Sequence, residues 1–144
     1  MTDRPTLPDA TEQARRFARV RAANATETQE DYVELIGDLI AANGEARAAD
    51  LVERFGVTAA TVANTLARLR KAGLIDMQPY RSIFLTEQGT VMARKSKKRH
   101  ATVVAFLLSL GLPREVAELD AEGIEHHLSD VTLRAMSRMV QEQD

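Results

Sequence analysis

A mainly α-helical fold, a winged helix-turn-helix followed by a second helical domain, is what three features of this 144-residue chain predict. Two helical periodicities flank the small-residue turn Phe55-Gly56-Val57-Thr58. Two short alternating segments follow directly. A long helical stretch then leads to Asp120-Ala121-Glu122-Gly123-Ile124-Glu125-His126-His127, where three carboxylates and two imidazoles fall within eight residues.

Taken in order, residues 1–10 hold Pro5 and Pro8 and little that packs, which predicts a disordered tail. Thr11 is the expected N-cap of a helix over 12–23. Its apolar points are Phe17 and Val20, and its basic side holds Arg15, Arg16, Arg19 and Arg21. That helix is either an arm touching DNA or a partner subunit, or a solvated extension. A second helix is expected from Thr26 or Thr28. Tyr32, Leu35, Ile36, Leu39 and Ile40 follow its 3,4 spacing and form a core face, and Gly44 ends it.

A short helix over 46–55 turns Leu51, Val52 and Phe55 inward and closes at Gly56. Thr58 caps the next helix, whose core side is Val62, Leu66 and Leu69. Its outward side is expected to present Ala59, Ala60, Thr61, Asn64, Thr65 and Arg68. These are short groups that let a helix sit deep in a major groove and bond base edges or phosphates. Helix pairs with such turns also occur in proteins that bind no DNA. Strands at 74–78 and 81–85, joined by Pro79-Tyr80, supply the wing, with Arg81 near its tip facing phosphate or simply solvent.

Thr86 caps a long helix that is basic first (Arg94 to His100) and apolar later (Val103 to Leu110). The apolar half exceeds one buried face, which suggests contact with a second subunit. Gly111-Leu112-Pro113 ends it, with Pro113 in the first turn of the next helix. Ser129 caps a last helix with Val131, Leu133, Met136, Met139 and Val140 as apolar points. The expected domains are 1–27 (extension), 28–93 (winged helix-turn-helix) and 94–144 (helical dimerisation and metal-binding domain).

Composition narrows the chemistry. No cysteine is present, which excludes disulfides, thiolate zinc sites and a Cys nucleophile. No run of about 18 apolar residues occurs and the N-terminus lacks a signal-peptide core, so a cytoplasmic protein with no membrane span is expected. Residues 1–57 hold 7 basic and 11 acidic side chains (net −4), residues 58–100 hold 9 and 2 (net +7), and residues 101–144 hold 3 and 8 (net −5). A basic middle between acidic ends points to polyanion binding by the middle.

Three ligand groups stand apart in sequence: Asp31 with Glu34, His100, and Glu122 with Glu125 and His126. On a continuous helix the last three lie at i, i+3 and i+4, one above the other. That face repels itself unless a cation neutralises it; a solvated acidic helix end is the alternative. Carboxylates with few imidazoles and no sulfur suit a hard or borderline six-coordinate ion such as Mn(II). His127 points about 100° away from His126, so it is read as outer or surface. A catalytic two-metal hydrolase would need a spare acid/base and a pocket-forming loop, and neither is evident, so the chain reads as a non-enzyme.

Asp31-Tyr32-Val33-Glu34, the winged helix-turn-helix, Arg99-His100 and Glu122-Gly123-Ile124-Glu125-His126-His127-Leu128-Ser129 together resemble the manganese branch of the diphtheria-toxin-repressor family over roughly residues 28–142. The resemblance implies a homodimeric, metal-activated transcriptional repressor of manganese uptake genes, acting on palindromic double-stranded operator DNA. It implies metal ligands at Asp31, Glu34, His100, Glu122, Glu125 and His126, possibly for two Mn(II) ions per subunit. The iron-responsive members have Met in place of Asp31 and Cys in place of Glu122, and carboxylates there favour Mn(II). A chain ending at Asp144 is expected to lack the third, SH3-like domain of the iron branch. The first 25 or so residues exceed the shortest members of the manganese branch, and the motif assigns them no role. A winged-helix regulator of Fe(II) or of a small organic ligand is the rival reading, although no small organic substrate is expected.

Overall fold

The computed structural model describes residues 3–78 and 82–142. Its first element is one unbroken helix, α1 (Ala10–Asn43), where the sequence suggested two. Asp9, not Thr11, caps it by accepting from the Glu12 backbone N–H. Nothing between Ala10 and Asn43 is Gly-plus-Pro punctuation: Gly37 alone interrupts, and it sits where a Cβ would meet only Leu85 and Ala93 side chains. Thr26, expected near a boundary, instead bonds back to the Ala23 carbonyl within the helix. Gly44 ends α1 at φ 81°, donating to the Ile40 carbonyl.

Helices α2 (Ala48–Phe55) and α3 (Ala59–Lys71) make the helix-turn-helix. Gly56 turns between them at φ 67°, and Thr58 accepts from the Thr61 N–H as the N-cap. Strands β1 (Ile75–Met77) and β2 (Ile83–Leu85) pair antiparallel, Ile75 opposite Leu85, and are shorter than expected. Ala46, expected in α2, bridges Ile83 instead, with its carbonyl accepting from the Ile83 N–H at 2.8 Å. The Pro79-Tyr80 turn lies outside the described residues.

Helix α4 (Glu87–Ser109) starts at the Thr86 cap, and Gly89 is there because the chain is crowded. A Cβ on Gly89 would fall 2.0 Å from the Leu74 carbonyl oxygen. Helix α5 (Arg114–Ile124) follows, with Pro113 as its N-cap and so just outside its first turn. A single 3₁₀ turn (Glu125–His127) then leads to α6 (Asp130–Glu142), where Ser129 accepts from the Thr132 N–H.

There are two cores. The first joins Tyr32, Val33, Ile36 and Leu39 of α1 to Leu51, Val62, Leu66, Leu69, Leu74 and Ile83. Each such side chain contributes about 1.5–3 kcal/mol by leaving water. Tyr32 stacks on Phe55 with ring centroids 4.4 Å apart, fastening α1 to the helix-turn-helix. The second gathers Val103, Val104, Leu107, Ala117 and Ala121, with Leu133 and Met136 of α6 packed against it. The position between residues 93 and 94 lies inside α4, so one continuous helix serves both cores.

Candidate metal centre and nucleic-acid interface

α1 crosses α4 and the 3₁₀ turn, and there its acidic face meets two histidines. Glu27, Glu30, Asp31 and Glu34 occupy i, i+3, i+4 and i+7, one stripe of α1. The expected continuous face of Glu122, Glu125 and His126 does not form. The α-helix ends at Ile124, and the tighter turn sends the residues to different neighbours.

Glu122 and Glu125 turn to His100, whose Nδ1 lies 2.6 Å from Glu125 Oε2 and 3.7 Å from Glu122 Oε1. His126 turns to α1: its Nδ1 lies 2.7 Å from Glu30 Oε2 and its Nε2 3.1 Å from Asp31 Oδ1. Two clusters of the size a cation needs result, His100–Glu122–Glu125 and Glu27–Asp31–His126. Glu34 joins neither. Its carboxylate accepts from the Ser96 hydroxyl at 2.8 Å and lines a cavity of about 330 Å³ with Asp31 and Glu122.

Glu125 links the clusters from full burial, with Oε2 toward His100 and Oε1 3.4 Å from His126 Nε2. Among the described residues, Glu125 Oε1 and His126 Nε2 are buried and make no well-aligned hydrogen bond, although Nε2 lies 3.1 Å from Asp31 Oδ1. Such atoms cost about 1–3 kcal/mol when left unmade. A carboxylate oxygen and an imidazole nitrogen side by side, both ligand atoms, suit a divalent cation.

Each histidine is oriented from behind by a carboxylate that sequence reading missed. Glu30 binds His126 Nδ1, and Glu118 accepts from His100 Nε2 at 2.8 Å. In both cases the opposite ring nitrogen faces the cluster. Arg99 fixes Glu30 in turn, at 2.8 Å. The signal for Glu27 and Glu30 was available in their helical spacing to Asp31 and Glu34; Glu118 is one turn before Glu122.

The electrostatics match this packing. Burial pushes the Glu125 carboxyl up to about 7, against the opposing pull of His100. Burial disfavours a charge on His126, but Asp31, Glu30 and Glu125 outweigh it and raise the imidazole to about 10. His100 is likewise raised, its desolvation outweighed by Glu118 and Glu125. Burial raises Glu34 in spite of the Ser96 hydroxyl. Burial would also raise Glu30, yet His126 and Arg99 hold it below the usual range. His127 is half-buried and belongs to neither cluster.

On α3, Ala59, Ala60, Thr61, Asn64 and Arg68 are exposed on the outward side. Thr65 is not: it is buried, and its hydroxyl donates to the Thr61 carbonyl at 2.9 Å. Thr65 follows the core stripe of Val62, Leu66 and Leu69, so it is removed from the outward set. Arg81 lies outside the described residues. No helix among the described residues is long and apolar enough to cross a membrane.

A winged helix-turn-helix fused through one helix to a carboxylate–imidazole centre defines a class, the metal-binding DNA-binding regulators. Residues 24–83 match the family model "Iron dependent repressor, N-terminal DNA binding domain", and residues 86–144 match "Iron dependent repressor, metal binding and dimerisation domain". The chain belongs to this iron-dependent, or diphtheria-toxin, repressor family, and is a DNA-binding transcriptional regulator, not an enzyme. It is 47% identical over 135 residues to "Transcriptional regulator MntR" of Escherichia coli O6:H1, covering 94% of this chain and 87% of that relative. It is 34% identical over 116 residues to "HTH-type transcriptional regulator MntR" of Listeria welshimeri serovar 6b, covering 81% and 82%. Among solved structures it resembles a "Manganese-dependent transcriptional repressor complex with manganese", with TM-score 0.72 and 26% identity over 78% of this chain and 52% of that one. The manganese regulator SloR gives TM-score 0.70 at 23% identity, a likeness of fold. The chain spans about half the length of these solved chains.

Proposed function

We propose that the protein is a cytoplasmic, homodimeric repressor that senses Mn(II) and silences manganese uptake genes by binding a palindromic operator. The observation that carries this is the buried, unpartnered pair Glu125 Oε1 and His126 Nε2, set against the acidic stripe of α1. Asp31, Glu34, His100, Glu122, Glu125 and His126 are the ligands in this reading, enough for two ions per subunit. The ion, when bound, supplies the positive charge that the carboxylates otherwise lack.

The chain's own residues do the rest. Glu30 and Glu118 hold the two imidazoles in place. Asp31 is adjacent to Tyr32, whose ring is stacked on Phe55 of α2, so an ordered acidic stripe orders the helix-turn-helix. Glu125 and His126 sit on the 3₁₀ turn between α5 and α6, helices that pack in the other core. Tying the two halves selects one arrangement of the recognition helices, and a ligand that binds that arrangement more tightly shifts the population to it. In a dimer, two α3 helices then sit about 34 Å apart, one turn of DNA. Ala59, Ala60, Thr61, Asn64, Arg68 and Arg81 read or position the operator. Leu110 just past α4, Leu119 on α5 and Val131 on α6 are exposed at 60%, 75% and 68% and supply apolar surface for a second copy.

The test is operator binding by fluorescence anisotropy at fixed salt, with Mn(II), Fe(II), Zn(II) or EDTA. Tight binding with Mn(II) that EDTA reverses is expected. Binding indifferent to metal would overturn the reading, and stronger activation by Fe(II) would replace manganese as the signal.

A further inference from the structure

We propose that Glu27 is a further metal ligand, making the His126 side of the centre a site of Glu27, Asp31 and His126 with Glu125 Oε1 alongside. This rests on the metal-binding reading above and deepens it. Glu27 is absent from the ligand set that the family resemblance implies.

Glu27 stands one helical turn before Asp31 on the same face of α1, four residues being close to one turn. A carboxylate oxygen of Glu27, an oxygen of Asp31 and a ring nitrogen of His126 all lie within 4.8 Å of one another. That is the spread of atoms sharing one cation. An acidic cluster alone would not make a site, but here a buried ligand atom is aimed at it. His126 has no side-chain exposure, its Nδ1 is engaged by Glu30, and its Nε2 makes no well-aligned hydrogen bond but faces Asp31 Oδ1 at 3.1 Å, a member of the cluster. Arg99 and His126 Nδ1 both go to Glu30, which like Glu34 lies outside the cluster.

Three residues of the stripe divide the labour. Glu30 orients the imidazole, while Glu27 and Asp31 present oxygens to the place its other nitrogen faces. A site with two flanking carboxylates, one imidazole and the Glu125 oxygen is oxygen-rich, and favours Mn(II) over softer ions relative to a site without Glu27. Glu27 is only half-buried, so it is reachable from solvent and closes the outer side of a site otherwise built from buried atoms.

The experiment is Mn(II) titration of the full chain by isothermal calorimetry, with Mn(II) electron paramagnetic resonance to count bound ions. Wild type is compared with Glu27→Gln and with Glu12→Gln, an exposed control on the same helix. Two classes of Mn(II) are expected in wild type and in the control. In Glu27→Gln one class should weaken about tenfold or more while the other, at His100, is unchanged, with the circular dichroism of the helix retained. Replacement by Glu27→His should then shift that class toward Zn(II). Identical titrations of wild type and Glu27→Gln would overturn the role of Glu27 and leave the metal reading standing. A wild type that binds no Mn(II) would overturn both.

Discussion

His126 Nδ1 lies 2.7 Å from Glu30 Oε2, a hydrogen bond joining residues 96 positions apart. The bond fixes which ring nitrogen faces Asp31 and Glu125, and Arg99 keeps the carboxylate in place. Glu30 is thus a positioning residue. Glu30→Gln should lower Mn(II) affinity about 10–100-fold, the usual cost of losing a carboxylate behind a ligating histidine. Operator binding at saturating Mn(II) should survive. Calorimetry alongside anisotropy separates the two, and an unchanged metal affinity would deny Glu30 this role.

The recognition helix offers a paired test. Asn64 is exposed and Thr65 is buried with its hydroxyl on the Thr61 carbonyl. Asn64→Ala should weaken operator binding by about 1–3 kcal/mol if the side chain bonds a base edge. Thr65→Val should cost about 1 kcal/mol of folding stability and leave operator affinity within a factor of two or three. Anisotropy and thermal melts distinguish them; the opposite pattern would mean α3 enters DNA by another face.

Gly89 is required by contact, not by backbone angle. A methyl there would press on the Leu74 carbonyl at 2.0 Å, where α4 leaves the wing. Gly89→Ala should destabilise the fold by at least about 1–3 kcal/mol, the range for overpacking, and lower Tm by about 2–4 °C per kcal/mol. Calorimetric melting of the metal-free protein measures this. A Tm equal to wild type would show that the helix can slide to make room.

The metal-free protein should lose stability as pH rises. His126 is held at about 10, above its unfolded value, so its contribution is full below about 6.5 and is lost as pH climbs toward 10. Glu125 at about 7 acts the same way: its proton is bound more tightly in the folded chain, and that advantage fades between about 4.5 and 7. His100 and Glu34 are raised as well. Glu30 is lowered and opposes them only in acid, below its ordinary carboxylate range. Chemical denaturation with EDTA at pH 6 and pH 9 should show the lower midpoint at pH 9. A midpoint that rises with pH would contradict the charge state assigned to His126.

What the residues disclosed in advance was mostly local. Gly44, Gly56, Thr58, Thr86 and Ser129 mark element ends through bonds to their own neighbours, so the boundaries around them were readable from order alone. The break near residues 24–28 was misread because Thr26 and Thr28 look like caps. No proline stands between Ala10 and Asn43, and the helix simply continues. Glu27 and Glu30 stand at helical spacing from Asp31 and Glu34, so their place on the acidic stripe was legible from residue order. Thr65 is expected outward among the short groups of α3, yet its position follows the leucines and it is buried. The parting of Glu122 from His126 depends on a turn tightened after Ile124 and on neighbours far away in sequence, which periodicity does not encode.

The unbroken α1 has a mechanical meaning. Its 34 residues form a stiff rod anchored near its far half, where Tyr32, Val33, Ile36 and Leu39 are buried. About 30 Å of helix separates Asp31 from Ala10 at 1.5 Å per residue. A tilt of about 5° at the acidic stripe would carry that free end about 3 Å by simple geometry. The N-terminal arm, with Phe17 58% exposed and its row of arginines, therefore sits at the end of a lever, where any tilt at the acidic stripe arrives magnified.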